Sequence, residues 1–182
     1  MRLFIGLRLS ETSRDEVIRY INSAREESQG FKWSHPEQLH FTLKFLGEVE
    51  TEKIAGLIKA LETAAMGIKP FKLRLGETGS FPERGIPRIL WIGLSSAQKD
   101  LEMLAENVEV VCTNLGFPAE KRPFKPHLTI ARAKDGQGDL LKVPNIRATW
   151  QSITLVSGFS LIESRLRPQG PVYQVVKEFW FQ

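Results

Sequence analysis

Two of the three histidines in this 182-residue chain stand in the same local setting. His40-Phe41-Thr42-Leu43 and His127-Leu128-Thr129-Ile130 each place a threonine two residues after a histidine, with apolar residues between and beyond. On a β-strand, residues i and i+2 share a face. Imidazole and hydroxyl therefore project together in each copy, while Phe41, Leu43, Leu128 and Ile130 back them from the core side. Two imidazoles on opposite walls of one cleft can divide acid and base work, because an unperturbed pKa of ~6.5 lets one be neutral and the other charged near pH 7. The threonine hydroxyls, with a nearby Lys or Arg, can hold an anion between the rings. This is the equipment for metal-free phosphodiester chemistry: one ring activates a nucleophile, the other protonates the leaving oxygen, and the hydroxyls stabilise the developing charge. The third histidine, His35, precedes Pro36, has no counterpart, and reads as a surface or loop residue.

The two motifs belong to a longer repeat. His40 and His127 are 87 residues apart, and the same offset carries Leu3-Phe4-Ile5-Gly6-Leu7 onto Leu90-Trp91-Ile92-Gly93-Leu94. It also carries Val17, Ile21 and Ala24 onto Leu104, Val108 and Val111, apolar positions at helical spacing. Strand, helix, loop and His-x-Thr strand thus occur twice in one order. The expected fold is bilobal α+β, with two antiparallel sheets facing a central cleft about a pseudo-twofold axis and helices packed outside them. A single domain would span residues 1–182.

Alternation predicts a strand over 2–9 and another over 38–46, the latter with Leu39, Phe41, Leu43 and Phe45 on one face and His40, Thr42 and Lys44 on the other. Ser10 or Thr12 would cap the first helix, and Thr51 a second with the stripe Ile54, Leu57, Ile58 and Leu61. Further strands are expected at Phe71–Leu75, Arg88–Leu94 and His127–Ala133, then around 149–157, 158–164 and 172–181. The third helix is expected over 97–115, and GSFPERGIP, FPAEKRPFKP and KDGQGD read as loops.

Composition excludes several classes. Basic residues exceed acidic ones by 25 to 21, which suits a phosphate-bearing partner without demanding one. One cysteine, Cys112, excludes an intramolecular disulfide framework and a Cys-rich zinc site. No apolar stretch reaches the roughly 18 residues of a membrane span, and the first ten residues read as a strand rather than a signal peptide. A monomeric cytoplasmic protein is the default expectation. Walker, dinucleotide-binding and serine-elbow motifs do not occur.

The two motifs resemble the paired HxTx signatures of the 2H phosphoesterase superfamily. LHFTLKFLGEV, RPFKPHLTIAR, the N-terminal RLFIGLRL and the C-terminal LIESRLRPQGPVY are similar to its RNA 2′,3′-cyclic phosphodiesterase branch, also called 2′-5′ RNA ligase, over nearly the whole chain. The resemblance implies His40 as proton donor to the leaving 3′-oxygen and His127 as the base that activates water. It implies phosphate binding by Thr42 and Thr129, an HxTxxR arginine at Arg132, and an aromatic at Phe45 that stacks on the nucleobase. It implies an RNA or nucleotide substrate bearing a 2′,3′-cyclic phosphate, tRNA fragments among them, a 2′-phosphate product, and ATP-independent reversal to a 2′-5′ linkage, with no metal or other cofactor. Strand geometry qualifies two of these residues. An offset of five puts Phe45 and Arg132 on the face opposite their histidines unless a bulge or the strand end redirects them.

Other candidates are Trp33 and Trp91 as a base platform, Lys121, Arg122 and Lys125 as backbone contacts, and Arg165 and Arg167 near the closing turn. Lys44, on the face of His40, would lower its pKa by like-charge repulsion. Two other functions are weighed: a metal-dependent hydrolase built on His35, His40 and His127, and a non-catalytic RNA-binding protein with a degenerate site.

Overall fold

Leu3, Ile5 and Leu7 alternate in the first strand, and all three are buried in β1 (Arg2–Arg8). In the computed structural model, residues 1–96, 98–135, 142–144, 148–168 and 170–182 are described. Ser10 accepts a hydrogen bond from the Ser13 amide at 3.2 Å and caps α1 (Glu11–Glu27), whose buried stripe is Val17, Ile21 and Ala24. A short strand that the sequence pattern does not announce, β2 (Phe31–Trp33), follows. A 3-10 turn at Pro36–Gln38 leads into β3 (His40–Glu48). Helix α2 (Thr51–Ala65) has Glu50, not Thr51, at its N-cap position. The chain continues through β4 (Phe71–Leu73), β5 (Leu75–Phe81), β6 (Ile89–Leu94), α3 (Lys99–Asn114) and β7 (Leu128–Ala133). It closes with β8 (Thr154–Val156), β9 (Gly158–Arg167) and β10 (Gly170–Trp180). β8 is much shorter than the strand expected over 149–157, and most of KDGQGD lies outside the described residues.

The fold is the expected antiparallel, duplicated α+β architecture. One half-sheet runs β10-β9-β1-β3; the other holds β7, β6 and β5 with β2 paired to β7. The halves meet in one residue pair, Phe41↔Leu128. These two are themselves equivalent under the 87-residue offset, so the pseudo-twofold axis passes between them.

The halves are also interlocked. After β1 the chain crosses through α1 to pair β2 with β7 of the other half. Trp150, which packs on Tyr20 of α1 at 5.5 Å, donates its indole N–H to the Gly76 carbonyl of β5 at 2.6 Å. In return α3, which follows β6, packs behind β3 and against α2. Helix and sheet therefore exchange partners between the repeats, and one continuous core holds both halves.

Candidate active site

His40 begins β3 and His127 immediately precedes β7. Continuing the antiparallel register of Phe41↔Leu128 by one residue each way sets His40 across from Thr129 and Thr42 across from His127. The histidines and threonines thus form a symmetric quartet about the axis. All four side chains are half-buried, while Phe41 and Leu128 beneath them are fully buried.

The ring atoms are oriented alike. His40 Nδ1 lies 2.6 Å from the Gln38 carbonyl, and His127 Nδ1 lies 2.7 Å from the Lys125 carbonyl, in each case two residues upstream. A carbonyl only accepts, so Nδ1 carries the proton in both rings and Nε2 is left to exchange one. Neutral, Nε2 is a base; charged, it is an acid.

The bulges settle the geometry of the two offset-five residues. Between β1 and β3 the register runs Ile5↔Lys44 and then Gly6↔Thr42, so Leu43 is the extra residue. Between β6 and β7 it runs Leu90↔Ala131 and then Trp91↔Thr129, so Ile130 is extra. The bulges are themselves equivalent in the repeat. Each buries two consecutive residues, Leu43-Lys44 and Ile130-Ala131, and turns the next one back to the histidine's face. Phe45 is accordingly 61% exposed, and its ring lies 5.9 Å from Phe4, which packs 4.6 Å from the His40 ring. Arg132 is exposed and its charge faces both His40 and Tyr173.

The same bulge corrects the reading of Lys44. Its side chain is buried behind the sheet, where Nζ donates to Glu109 Oε2 at 2.6 Å and to the Pro118 carbonyl at 2.9 Å. It therefore ties β3 to α3 and to the loop over 117–126, and does not face His40. Glu109 also accepts the Glu120 amide at 2.8 Å, so the pair fixes the loop that carries Lys121 and Arg122. That loop and Phe45 line an open concavity of about 430 Å³, with Gly47, Pro118, Lys121 and Arg122 on its walls.

Burial pulls the His40 pKa down to about 4, helped by the charges of His127, Arg132 and Arg8 and opposed by the Gln38 carbonyl. Arg8 is the partner of His40 across β1. Gly6 is needed beside this ring: a Cβ there would lie 3.3 Å from His40 Cδ2 and 3.0 Å from the Phe41 carbonyl oxygen. Two aromatics that sequence reasoning missed flank the histidines edge-on. Tyr173 of β10 lies 5.1 Å from His40, and Phe81 of β5 lies 5.2 Å from His127. Tyr173 stands in the C-terminal GPVY segment, the one signal that marks it. Phe81 reads as a loop residue in the sequence because Gly79, Ser80 and Pro82 surround it, yet β5 extends through it.

The remaining candidates separate. Trp33 is a buried core residue against Phe31, not a platform. Trp91 is half-buried on the cleft face, 5.3 Å from Phe81. Lys125 sits 5.2 Å above both of those rings and pairs with Glu83 at 2.7 Å. Arg165 pairs with Glu163 at 2.9 Å, and Arg167 is exposed. His35 is exposed, with its backbone N–H bound by Gln38. Among the described residues no three His, Cys, Asp or Glu side chains gather as metal ligands. No described helix is long and apolar enough to cross a membrane.

The chain is 32% identical to the RNA 2′,3′-cyclic phosphodiesterase of Methanocaldococcus jannaschii, covering 98% of this chain and 100% of that one. It is 35% identical to the protein of the same name from Archaeoglobus fulgidus, over 98% and 99% of the two chains. The crystal structure of TT0787 of Thermus thermophilus superposes with a TM-score of 0.85 at 34% identity, covering 100% of this chain and 98% of that one. The family model described as LigT like Phosphoesterase matches twice, over residues 7–91 and 92–173, one match for each copy of the repeat. A duplicated chain with a His-x-Thr strand in each copy, matched in this way over most of its length, belongs to the LigT-like phosphoesterases.

Proposed function

We propose that this protein is a metal-independent RNA 2′,3′-cyclic phosphodiesterase that opens the cyclic phosphate to a 2′-phosphate. The observation that carries the reading is the pair of histidines at equivalent places in the two copies, each with Nδ1 on the carbonyl two residues upstream, on strands that meet at Phe41↔Leu128. The names of the relatives support the substrate class.

In this mechanism Thr42, Thr129 and Arg132 hold the phosphate oxygens. His127 Nε2 takes a proton from water as it attacks phosphorus. His40 Nε2–H gives a proton to the 3′-oxygen as the P–O3′ bond breaks, leaving phosphate on O2′. The assignment of acid and base follows the family resemblance, since the quartet alone is symmetric. Burial favours the neutral form of His40. A bound phosphate anion offsets the repulsion from His127, Arg132 and Arg8 and raises its affinity for a proton. Phe45 stacks on the base of the terminal nucleotide, with Lys121 and Arg122 facing its backbone. A ribose 5′-hydroxyl in place of water gives ATP-independent 2′-5′ joining through the same groups. The whole chain acts as one bilobal domain, as a monomer, on RNA ends that include tRNA fragments.

The test is product analysis with 2′,3′-cyclic AMP and with an RNA ending in a cyclic phosphate, in chelator and without ATP. The expected product is the 2′-phosphate. A 3′-phosphate, or activity lost to chelator and restored by metal, would overturn the mechanism. Binding of the RNA without turnover would identify a non-catalytic RNA-binding protein instead.

A further inference from the structure

The two histidines open onto different surroundings. His40 is enclosed by Phe4 at 4.6 Å and Tyr173 at 5.1 Å. His127 is flanked by Phe81, and beyond that ring lies a second open concavity of about 670 Å³, lined by Phe81, Pro82, Ile86, Arg88 and Arg122. Arg122 lines both this concavity and the one beside Phe45, so one residue borders the two. The lining of the second concavity joins an aromatic ring and the 54% exposed Ile86 to two arginines, which matches a nucleoside with phosphate on its chain.

We infer that the Phe81–Ile86–Arg88–Arg122 concavity is an acceptor subsite for the 5′-hydroxyl end of a second RNA strand, seated next to His127. The inference rests on the proposed phosphodiesterase reading and on His127 being the base. The incoming nucleophile must approach opposite the P–O3′ bond, on the side of the base. The 5′-oxygen forms its bond to phosphorus as its proton passes to His127 Nε2. The P–O3′ bond breaks, and His40 gives its proton to O3′. Phosphorus stays on O2′, the product is a 2′-5′ diester, and opening the cyclic phosphate replaces any need for a nucleotide triphosphate. Hydrolysis of a cyclic mononucleotide needs only water at that position and leaves the concavity vacant.

The experiment compares two reactions in the wild type and in Arg88→Gln and Ile86→Ser, both exposed positions. One is hydrolysis of 2′,3′-cyclic AMP. The other is joining of an oligonucleotide ending in a cyclic phosphate to an excess of a 5′-hydroxyl oligonucleotide. The expected result is hydrolysis within about twofold of wild type and a drop in joined product of roughly tenfold, the worth of one charge-assisted contact. Joining at the wild-type level in both variants, equal loss of both reactions, or a wild type that hydrolyses cyclic AMP but joins nothing would each overturn the acceptor site. A wild type that does not hydrolyse cyclic AMP would instead refute the phosphodiesterase reading itself.

Discussion

The two halves share a strand, a bulge and an imidazole–carbonyl bond, yet they surround their histidines differently. In the first, Thr42 has Gly6 as its neighbour on β1. In the second, Thr129 has Trp91 on β6, although the repeat-equivalent of Gly6 is Gly93. β6 has slid two residues along β7 relative to β1 on β3. An even slide keeps every side chain on its face but changes which side chain stands beside the reactive group. The glycine leaves room for the His40 ring to settle against Phe4 and Tyr173, and burial there lowers its pKa to about 4. The two copies thus repeat the same strand and bulge, while the change of register gives each histidine different neighbours, Phe4 and Tyr173 at His40 and Phe81 at His127.

The largest test of that comparison removes the rings. His40→Ala and His127→Ala are each expected to lower kcat by ~10²–10⁴-fold, the worth of a general acid or base. Circular dichroism should show both variants folded, because neither ring belongs to the buried core. A variant that keeps more than about a tenth of wild-type kcat would remove that histidine from the mechanism.

Stability against pH separates the halves next. The native His40 pKa lies below the unfolded value, so the native state excludes a proton that the unfolded chain binds. Above pH ~6.5 the two states are equal in this respect. Between about 6.5 and 4 stability falls, by about 3 kcal/mol for this group, and below the native pKa the loss is complete. Urea unfolding at a series of pH values should show that part of the slope missing in His40→Ala. An unchanged slope would contradict the burial of His40 as its cause.

How much of this was legible follows from particular residues. The paired His-x-Thr strands and the 87-residue repeat were plain, because strand alternation and a fixed offset are local signals. The bulges were half-visible. Ile130-Ala131 breaks the alternation with two adjacent apolar residues before Arg132, but in the first copy a lysine fills the second place. Lys44 therefore reads as a cleft residue when it is a buried anchor for Glu109 and Pro118. Tyr173 and Phe81 reach the histidines from strands distant in sequence, and the two-residue slide of β6 depends on pairing with β7. Such contacts between distant segments leave no local pattern.

Gly6→Ala gives a smaller and more selective effect. The added methyl presses on the Phe41 carbonyl and on the His40 ring. We expect kcat to fall about tenfold, as a small misplacement of a catalytic group does, with Tm changed by a few degrees at most. A full-strength enzyme would show that the ring does not need this space. Smallest is the shift between pH profiles. A bound phosphate anion raises the proton affinity of both rings, so the bell in kcat should lie at higher pH than the bell in kcat/KM. Coincident bells would mean that the anion does not sit between the histidines.

If His40 and His127 act as acid and base on one phosphate, a cyclic substrate whose 3′-oxygen is replaced by sulfur, a leaving group that needs little protonation, tells the two rings apart. On this substrate His40→Ala should regain most of its lost turnover while His127→Ala should not. Rescue of His127→Ala alone would reverse the two roles, and rescue of neither would contradict general-acid catalysis by this pair.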